Sequence, residues 1–116
     1  MNILVVEDHR DTRSILERLL ARSGFDVCAT GTVKGARKLL DHFRFDAVLS
    51  VIGLPDGDGY EVVAEAKKRQ SLQTAVAMTA YSGVEDRARA VKAGFDHFLV
   101  KPLDVRRLRT VFCAST

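Results

Sequence analysis

Two adjacent carboxylates, Glu7 and Asp8, directly follow the apolar run NILVV near the start of the sequence. Two negative charges side by side are unfavourable unless a positive group neutralises them. Oxygen ligands of this kind favour a hard divalent cation, and Mg²⁺ is the metal that we expect. Acidic residues are also common at the start of a helix, where they interact favourably with the helix dipole. The pair alone does not decide between these two interpretations.

Two further polar groups follow other short apolar runs. Thr79 closes TAVAMT, and Lys101 stands between HFLV and Pro102, whose ring restricts the lysine backbone. A single threonine or lysine after a strand is usually incidental. In a parallel sheet, however, the carboxyl ends of the strands meet at one edge, where such sheets bind ligands. Acids, a hydroxyl and a lysine after three strands of one sheet therefore predict a common site.

Alternating apolar patterns predict the elements that position these groups. Short, often β-branched apolar runs are typical of strands buried in a parallel sheet, and apolar residues at helical spacing indicate the helices between them. The predicted strands are residues 2–6, 25–30, 46–51, 74–79 and 97–100, and the predicted helices are residues 11–23, 32–43, 60–69, 84–93 and 104 onward. This alternation predicts a parallel sheet with helices on both faces.

The helices are expected to pack apolar faces onto this sheet. The residues at helical spacing are Ile15, Leu16, Leu19, Leu20, Ala36, Leu39, Leu40, Phe43, Val62, Val63, Ala66, Val105, Leu108 and Phe112. The dipeptide Phe-Asp precedes three predicted strands, beginning at Phe25, Phe45 and Phe95. We interpret it as a repeated exit from helix to strand: Gly24 and Gly94 take a left-handed turn, phenylalanine fills the core edge and aspartate stays in solvent.

The overall composition is that of an ordinary globular protein. The length of 116 residues, with 47% hydrophobic and 28% charged residues, predicts one domain over residues 1–116. No apolar run approaches the ~20 residues of a membrane span, and acids stand where a signal peptide would be apolar. We therefore expect a cytoplasmic protein without membrane contact. The net charge is +3, and its basic clusters lie on predicted helices, which favours solvated faces over a nucleic-acid surface.

The cysteines and histidines show no metal-ligand spacing. Cys28 is expected to be a small buried residue and Cys113 a frayed terminal thiol. His9, His42 and His97 are expected at the surface or half-buried.

The segments VVEDHRDTR, DAVLSVIGLPDGDGYE, AMTAYS and GFDHFLVKPLD together resemble the receiver domains of two-component response regulators, over the whole chain. The resemblance implies a flavodoxin-like three-layer α/β sandwich with a five-stranded parallel sheet in the order 2-1-3-4-5. It also implies a signalling module rather than an enzyme. In such a module an aspartate at the end of the third strand accepts a phosphoryl group from a histidine kinase or a phosphotransfer protein.

The resemblance further assigns roles to individual positions. It implies that Glu7, Asp8 and the backbone carbonyl of Gly53 bind Mg²⁺. It implies that Thr79 and Lys101 contact the phosphoryl oxygens, and that Thr79 and Phe98 form the conformational switch. The acceptor position is Val51.

Valine at position 51 departs from this pattern at its reacting atom. Its side chain has no lone pair, so it is neither a nucleophile nor a metal ligand. Ser50 points to the opposite face of the strand, and Asp46 lies at the strand's other end. Asp56 and Asp58 are explained by a turn and by capping of the third helix, although Asp56 is the neighbour that most needs a test.

Three consequences follow from this valine. We expect no stable phosphorylation, because the acceptor oxygen is absent. We also expect weakened Mg²⁺ binding, because the site has lost an anionic ligand. With that carboxylate absent, Lys101 becomes able to pair with Asp8 or Glu7 and to neutralise the acids without metal. The sequence does not distinguish natural divergence from a deliberate substitution, or a stand-alone receiver from part of a larger regulator.

Two alternative functions stay open beside a receiver that lacks its acceptor. One is a phosphorylation-independent interaction module that forms a homodimer through the fourth helix, fifth strand and fifth helix, whose mixed charges suit a symmetric contact. These charges are Arg87, Arg89, Lys92, Asp96, Asp104, Arg106 and Arg107. The other is a flavodoxin-like enzyme or nucleotide-binding module. It is disfavoured because the acidic segment EDHRD replaces the phosphate-binding loop that it would need after the first strand.

Overall fold

The structure is a computed structural model that describes residues 1–79, 84–101 and 104–113, with the backbone alone for residues 84–86, 105 and 113. Within this part the strands are β1 (Asn2–Val6), β2 (Asp26–Thr30), β3 (Ala47–Val51), β4 (Gly53–Leu54), β5 (Gly57–Asp58), β6 (Thr74–Thr79) and β7 (His97–Val100). The helices are α1 (Arg10–Arg22), α2 (Val33–His42), α3 (Gly59–Arg69), α4 (Val84–Ala93) and α5 (Val105–Cys113). Ala80, Pro102, and the side chains of Val105 and Cys113, for which the sequence makes predictions, lie outside the described residues.

Five strands form a parallel sheet in the order β2-β1-β3-β6-β7. β4 and β5 form a separate hairpin with two residues in each strand. When only the five strands of the parallel sheet are numbered along the chain, their order is 2-1-3-4-5, as in a flavodoxin-like α/β fold. That prediction is confirmed. The hairpin was not predicted. It lies between β3 and α3, where the sequence indicated only a turn.

Alternate residues of the strands contribute to two separate cores. Ile3, Val5 and Val51 pack in one core with α1 and α5, whereas Leu4 and Val48 pack in the other with α2 and α3. A third cluster joins α4 to β6. The central strands are buried on both faces, which explains why they read as continuous apolar runs.

Two predicted inward residues lie at the surface. The side chain of Ile15 is 55% exposed and that of Phe43 is 54% exposed. Only Leu16 and Leu20 of α1 are fully buried among its residues. Phe43 is exposed because α2 ends at His42 and Phe43 already has extended dihedral angles, so the helical period no longer sets its direction. Cys28, predicted buried, is half-buried on the edge strand β2.

The Phe-Asp units act as predicted at the helix exits and have an additional role. Gly24 and Gly94 adopt φ values of 93° and 115°, so both make the left-handed turn. The Asp46 and Asp96 carboxylates do not simply stay in solvent, because each accepts a backbone N–H at the start of a neighbouring strand, from Asn2 (2.7 Å) and Ala75 (2.8 Å) respectively. The unit therefore fixes strand register as well as ending the helix.

Candidate functional site

The carboxyl ends of four neighbouring strands bring most of the predicted residues to one edge of the sheet. Glu7 follows β1, Val51 ends β3, Thr79 ends β6 and Lys101 follows β7. These strands are adjacent in the order β1-β3-β6-β7. The backbone N–H of Lys101 donates to the carbonyl of Thr79 at 2.7 Å, which continues the β6–β7 pairing into the site.

Glu7 is the buried charge of this site. Its side chain is 1% exposed, and its Oε1 accepts a hydrogen bond from Lys101 Nζ at 2.7 Å. Its Oε2 accepts the backbone N–H of His9 at 3.3 Å. Asp8, the second member of the acid pair, is exposed. The structure therefore separates two adjacent carboxylates into one that is buried and neutralised by lysine and one that faces water.

Arg13 belongs to this site but was not identified from the sequence. Its guanidinium Nη1 donates to the backbone carbonyl of Glu7 at 2.9 Å. A side chain at Gly31 would place its Cβ 2.5 Å from that nitrogen, so the guanidinium lies close against the backbone after β2. The available signal was an arginine on the first turn of the helix that follows the acid pair, where a second cation supports the loop that carries the acids.

Val51 closes the end of β3 as a core residue. It is 6% exposed and packs in the core that contains Met78 and Leu99. Ser50 is fully buried, and its hydroxyl donates to the carbonyl of Val51 at 2.8 Å. Ser50 alternates to the other face of the strand, as predicted. No oxygen of either side chain is therefore presented to the acid pair.

The segment between Val51 and α3 is held by close backbone contact and by two aspartates. A Cβ at Gly59 would lie 2.2 Å from the carbonyl oxygen of Val51, so only glycine lets α3 begin this close to β3. Asp58 is the N-cap of α3 and accepts the backbone N–H of Glu61 at 2.9 Å. This confirms the capping role predicted for Asp58.

Asp56 lies in the turn between β4 and β5 and caps α2. Its two carboxylate oxygens accept the backbone N–H groups of Val33 (2.8 Å) and Lys34 (3.0 Å), at the N-terminus of α2. These hydrogen bonds lower the pKa of Asp56 below its ordinary value of 3.8, and the bond from Lys34 contributes more than the bond from Val33. Asp56 lies in the predicted turn. Its capping of α2 was not predicted, because the β4–β5 hairpin carries Asp56 across to α2, a non-local contact that sequence spacing does not reveal.

Thr79, Gly53 and Phe98 take three different environments. Thr79 and Phe98 are half-buried. The guanidinium carbon of Arg87 on α4 lies 5.5 Å from the centre of the Phe98 ring, a cation–π geometry. Gly53 begins β4, two residues after Val51, and nothing lies within 4 Å of its Cβ position. Thr79 and Gly53 thus lie at or beside the strand ends of the site, whereas Phe98 lies within β7, paired with Ala77.

Comparison with known proteins identifies the family of this chain. The profile of the response regulator receiver domain matches residues 3–112. The chain belongs to the response regulator receiver domain family. It is 43% identical to the response regulator protein PilR of Pseudomonas aeruginosa over 97% of this chain and 25% of PilR. The chain thus spans about a quarter of the length of that curated relative.

Solved receiver structures share the fold of this chain. A two-component response regulator from Clostridium difficile superposes with a TM-score of 0.93 at 23% identity, covering 99% of this chain and 94% of that one. The receiver domain of the sensor histidine kinase PA1611 from Pseudomonas aeruginosa PAO1 has a TM-score of 0.84 at 28% identity, with 97% and 94% covered. That PA1611 domain carries a magnesium ion in its active site cleft.

The equivalent cleft of this receiver domain fits Mg²⁺ poorly. Among the residues that the structure describes, no three His, Cys, Asp or Glu side chains come together as a metal-binding group. Glu7 gives one oxygen to Lys101 and the other to a backbone N–H, which leaves Asp8 as the exposed carboxylate. Mg²⁺ would have to displace an ammonium to gain a second carboxylate ligand, and it exchanges its own waters reluctantly.

The acids that the sequence assigned to the α4–β7–α5 face of the receiver domain already have partners within the protein. The Asp96 carboxylate accepts the backbone N–H of Ala75, and its Oδ1 lies 3.8 Å from Nζ of Lys67 on α3. Asp104 accepts the backbone N–H of Arg106 at 2.8 Å. The histidines are exposed, as predicted, and His9 caps α1 by accepting the N–H of Thr12. Throughout the described residues, no helix is long and apolar enough to cross a membrane.

Proposed function

We propose that this chain is a receiver domain of a two-component system that cannot be phosphorylated, because Val51 stands at the acceptor position. The observation that carries the proposal is the place of Val51 at the end of β3, on the edge where Glu7 and Lys101 meet. Phosphoryl transfer needs an oxygen nucleophile at that point, and an isopropyl group has none. We further propose that residues 1–116 form one such domain and that it acts in the cytoplasm.

The neighbouring oxygens are poor replacements for the missing acceptor. Ser50 faces the other side of the strand, and its hydroxyl is used in a hydrogen bond to the Val51 carbonyl. Asp56 uses both carboxylate oxygens to cap α2. Glu7 is buried and paired with Lys101. An acyl phosphate on any of these groups would first require its present bonds to break, so we expect none to form.

A domain of this kind would signal through binding rather than through phosphate. We propose that it contacts a histidine kinase or a phosphotransfer protein without accepting a phosphoryl group, and that it is not itself an enzyme. Mg²⁺ binding is proposed to be weak, with Glu7, Asp8 and the carbonyl of Gly53 as its ligands. Thr79 and Lys101 keep the positions that would contact phosphoryl oxygens, and Thr79 and Phe98 those of the switch.

A homodimer through α4, β7 and α5 remains the second candidate role. The carboxylates of Asp96 and Asp104 on this face already accept backbone N–H groups within the protein. In a symmetric dimer, these carboxylates would therefore have to pair with the partner's cations while keeping, or after breaking, their present hydrogen bonds. Direct binding to nucleic acid and to membrane is not proposed. Membership of the receiver family favours signalling over a flavodoxin-like enzyme or nucleotide-binding module.

Intact-mass spectrometry tests the proposal directly. The protein is incubated with Mg²⁺ and acetyl phosphate, and separately with a phosphorylated phosphotransfer protein. The expected spectrum shows no phosphoryl adduct under conditions that modify the Val51→Asp variant of the same chain. An adduct on the unaltered chain would contradict the proposal, and peptide mapping would show whether Asp56 or another oxygen had accepted it.

A further inference from the structure

The loop between α2 and β3 presents an aromatic ring beside a cleft at the end of the sheet opposite the candidate site. Phe43 is 54% exposed, and its ring meets that of buried Phe45 in an edge-on contact with centroids 6.5 Å apart. A cleft of about 330 Å³ opens next to it, between the C-terminal ends of α2 and α3. Leu40, Arg44, Arg69 and Gln70 contribute to its walls. We refer to it as the Phe43 cleft.

Gln70 holds this loop in one conformation. Its side-chain Nε2 donates to the carbonyls of Leu40 (3.1 Å) and Phe43 (2.8 Å), and its Oε1 accepts the backbone N–H of Phe45 at 2.8 Å. The carbonyl of Arg44 accepts a hydrogen bond from the side chain of Asn2 at 3.2 Å. The exposed ring is therefore displayed on an ordered backbone, so a partner would not have to order the loop on binding.

The charges of the Phe43 cleft are unbalanced in one direction. Asp41 is paired with Arg69, which also contacts Glu65 at 2.8 Å. Arg44 makes no ion pair or side-chain hydrogen bond with any residue in the described part of the chain. The charge left without a partner in the cleft wall is therefore a guanidinium, which binds carboxylates through paired hydrogen bonds.

We propose that the Phe43 cleft binds a segment of a partner protein in which a carboxylate lies next to an apolar side chain. The apolar group covers the ring of Phe43, and the carboxylate pairs with Arg44. Aromatic residues and arginine are the side chains that most often anchor protein interfaces. A nucleic acid is a poorer match, because its affinity comes from many phosphate contacts and this cleft offers one unpaired cation. The surface lies away from Glu7, Val51 and Lys101, so it is independent of the phosphorylation chemistry.

Selection of peptides from a random linear library tests this assignment. The immobilised chain is expected to enrich peptides that carry Asp or Glu beside Leu, Ile or Phe. These peptides should bind the Phe43→Ser variant at least about tenfold more weakly than the unaltered chain. Replacing the selected acid by its amide should weaken binding to the unaltered chain and leave binding to the Arg44→Gln variant unchanged, which is the coupling that a double-mutant cycle measures.

A matched variant at another surface controls for the general loss of an exposed apolar side chain and a positive charge. Ile15→Ser with Arg18→Gln removes an exposed apolar side chain and a cation from α1, and peptide binding should not change. Thermal melts verify that each variant is folded, and if Phe43→Ser is not, the Arg44→Gln cycle still decides. Four results would each overturn the proposal. They are equal enrichment of peptides by all variants, peptide binding that does not depend on the acid, preferential binding of DNA, and a self-association that Phe43→Ser abolishes.

Discussion

The ammonium of Lys101 lies 2.7 Å from a carboxylate oxygen of Glu7, although the two residues are 94 positions apart in the sequence. The glutamate side chain is 1% exposed and the lysine side chain 32% exposed. A buried carboxylate requires a partner charge or several hydrogen bonds to remain ionised without a large penalty. This contact confirms the prediction that Lys101 pairs with one of the two acids.

Removing the lysine should destabilise the fold. Lys101→Met leaves the Glu7 carboxylate buried without its cation, and we expect the free energy of unfolding to fall by about 3 kcal/mol, the lower end for breaking a buried pair because Lys101 is partly exposed. Denaturant unfolding measures the change. Lys92→Met, at an exposed lysine of α4, is the control and should shift stability by less than about 0.5 kcal/mol. Equal effects of the two substitutions would show that the ion pair adds nothing.

Mg²⁺ should have little effect on the thermal stability of the unaltered chain. A bound ion stabilises by RT ln(1 + [L]/Kd), which stays below about 0.4 kcal/mol while the metal concentration is lower than Kd. The ion has to compete with Lys101 for Glu7, so we expect Kd to exceed low millimolar concentrations. Melting curves with and without the metal measure this. An increase of several degrees would mean that Glu7 and Asp8 suffice as ligands.

Val51→Asp should restore Mg²⁺-dependent phosphorylation by acetyl phosphate. The new carboxylate adds an oxygen nucleophile and an anionic metal ligand beside Glu7, Thr79 and Lys101. Without metal this variant should melt below the unaltered chain, because it places a second charge beside a buried acid, and Mg²⁺ should recover part of the difference. Mass spectrometry and paired melting curves measure both effects. A folded variant that stays unmodified would indicate a wider change in the cleft.

Asp56 should stabilise the fold in a pH-dependent way. Its pKa is lowered in the folded protein by the N–H groups of Lys34 and Val33. The ionised carboxylate therefore stabilises the native state at pH values above the range in which aspartate ordinarily titrates. That contribution is lost as the pH falls through the depressed folded pKa, below 3.8. Asp56→Asn should therefore melt at a lower temperature than the unaltered chain at neutral pH, and the difference should narrow as the pH falls below the ordinary aspartate range. Asp26→Asn, at an exposed aspartate outside any cap, is the matched control. A difference independent of pH would rule out the charge as its cause.

The regular elements could be predicted because their signals are local. β6, α4 and β7 begin and end at the predicted residues, since each is a short apolar or amphipathic run bounded by turn residues. The meeting of Glu7 and Lys101 followed from parallel topology, which gathers the carboxyl ends of strands. The family resemblance supplied the strand order, and the match over residues 3–112 supports it.

Most of the missed features concern contacts between residues distant in the sequence, or residues at the end of an element. Phe43 fits the helical period of α2, but the helix stops one residue earlier. Asp56 precedes α3 in the chain and caps α2 in space. Arg13 has no motif that marks its bond to the carbonyl of Glu7. Periodicity describes the interior of an element, and these residues depend on how elements meet.

The Phe-Asp units also join neighbouring strands through their backbone groups. The backbone N–H of Asp26 bonds to Met1 and that of Asp46 to Asn2, both at β1, while that of Asp96 bonds to Ala75 on β6. In turn, the carbonyl of Asp46 accepts the N–H of Gln73 at the start of β6. Together the four bonds span all four junctions of the sheet order β2-β1-β3-β6-β7, one beside the first residues of each neighbouring pair. The amino-terminal edge of the sheet is therefore closed by a row of backbone hydrogen bonds, at the end opposite the candidate site.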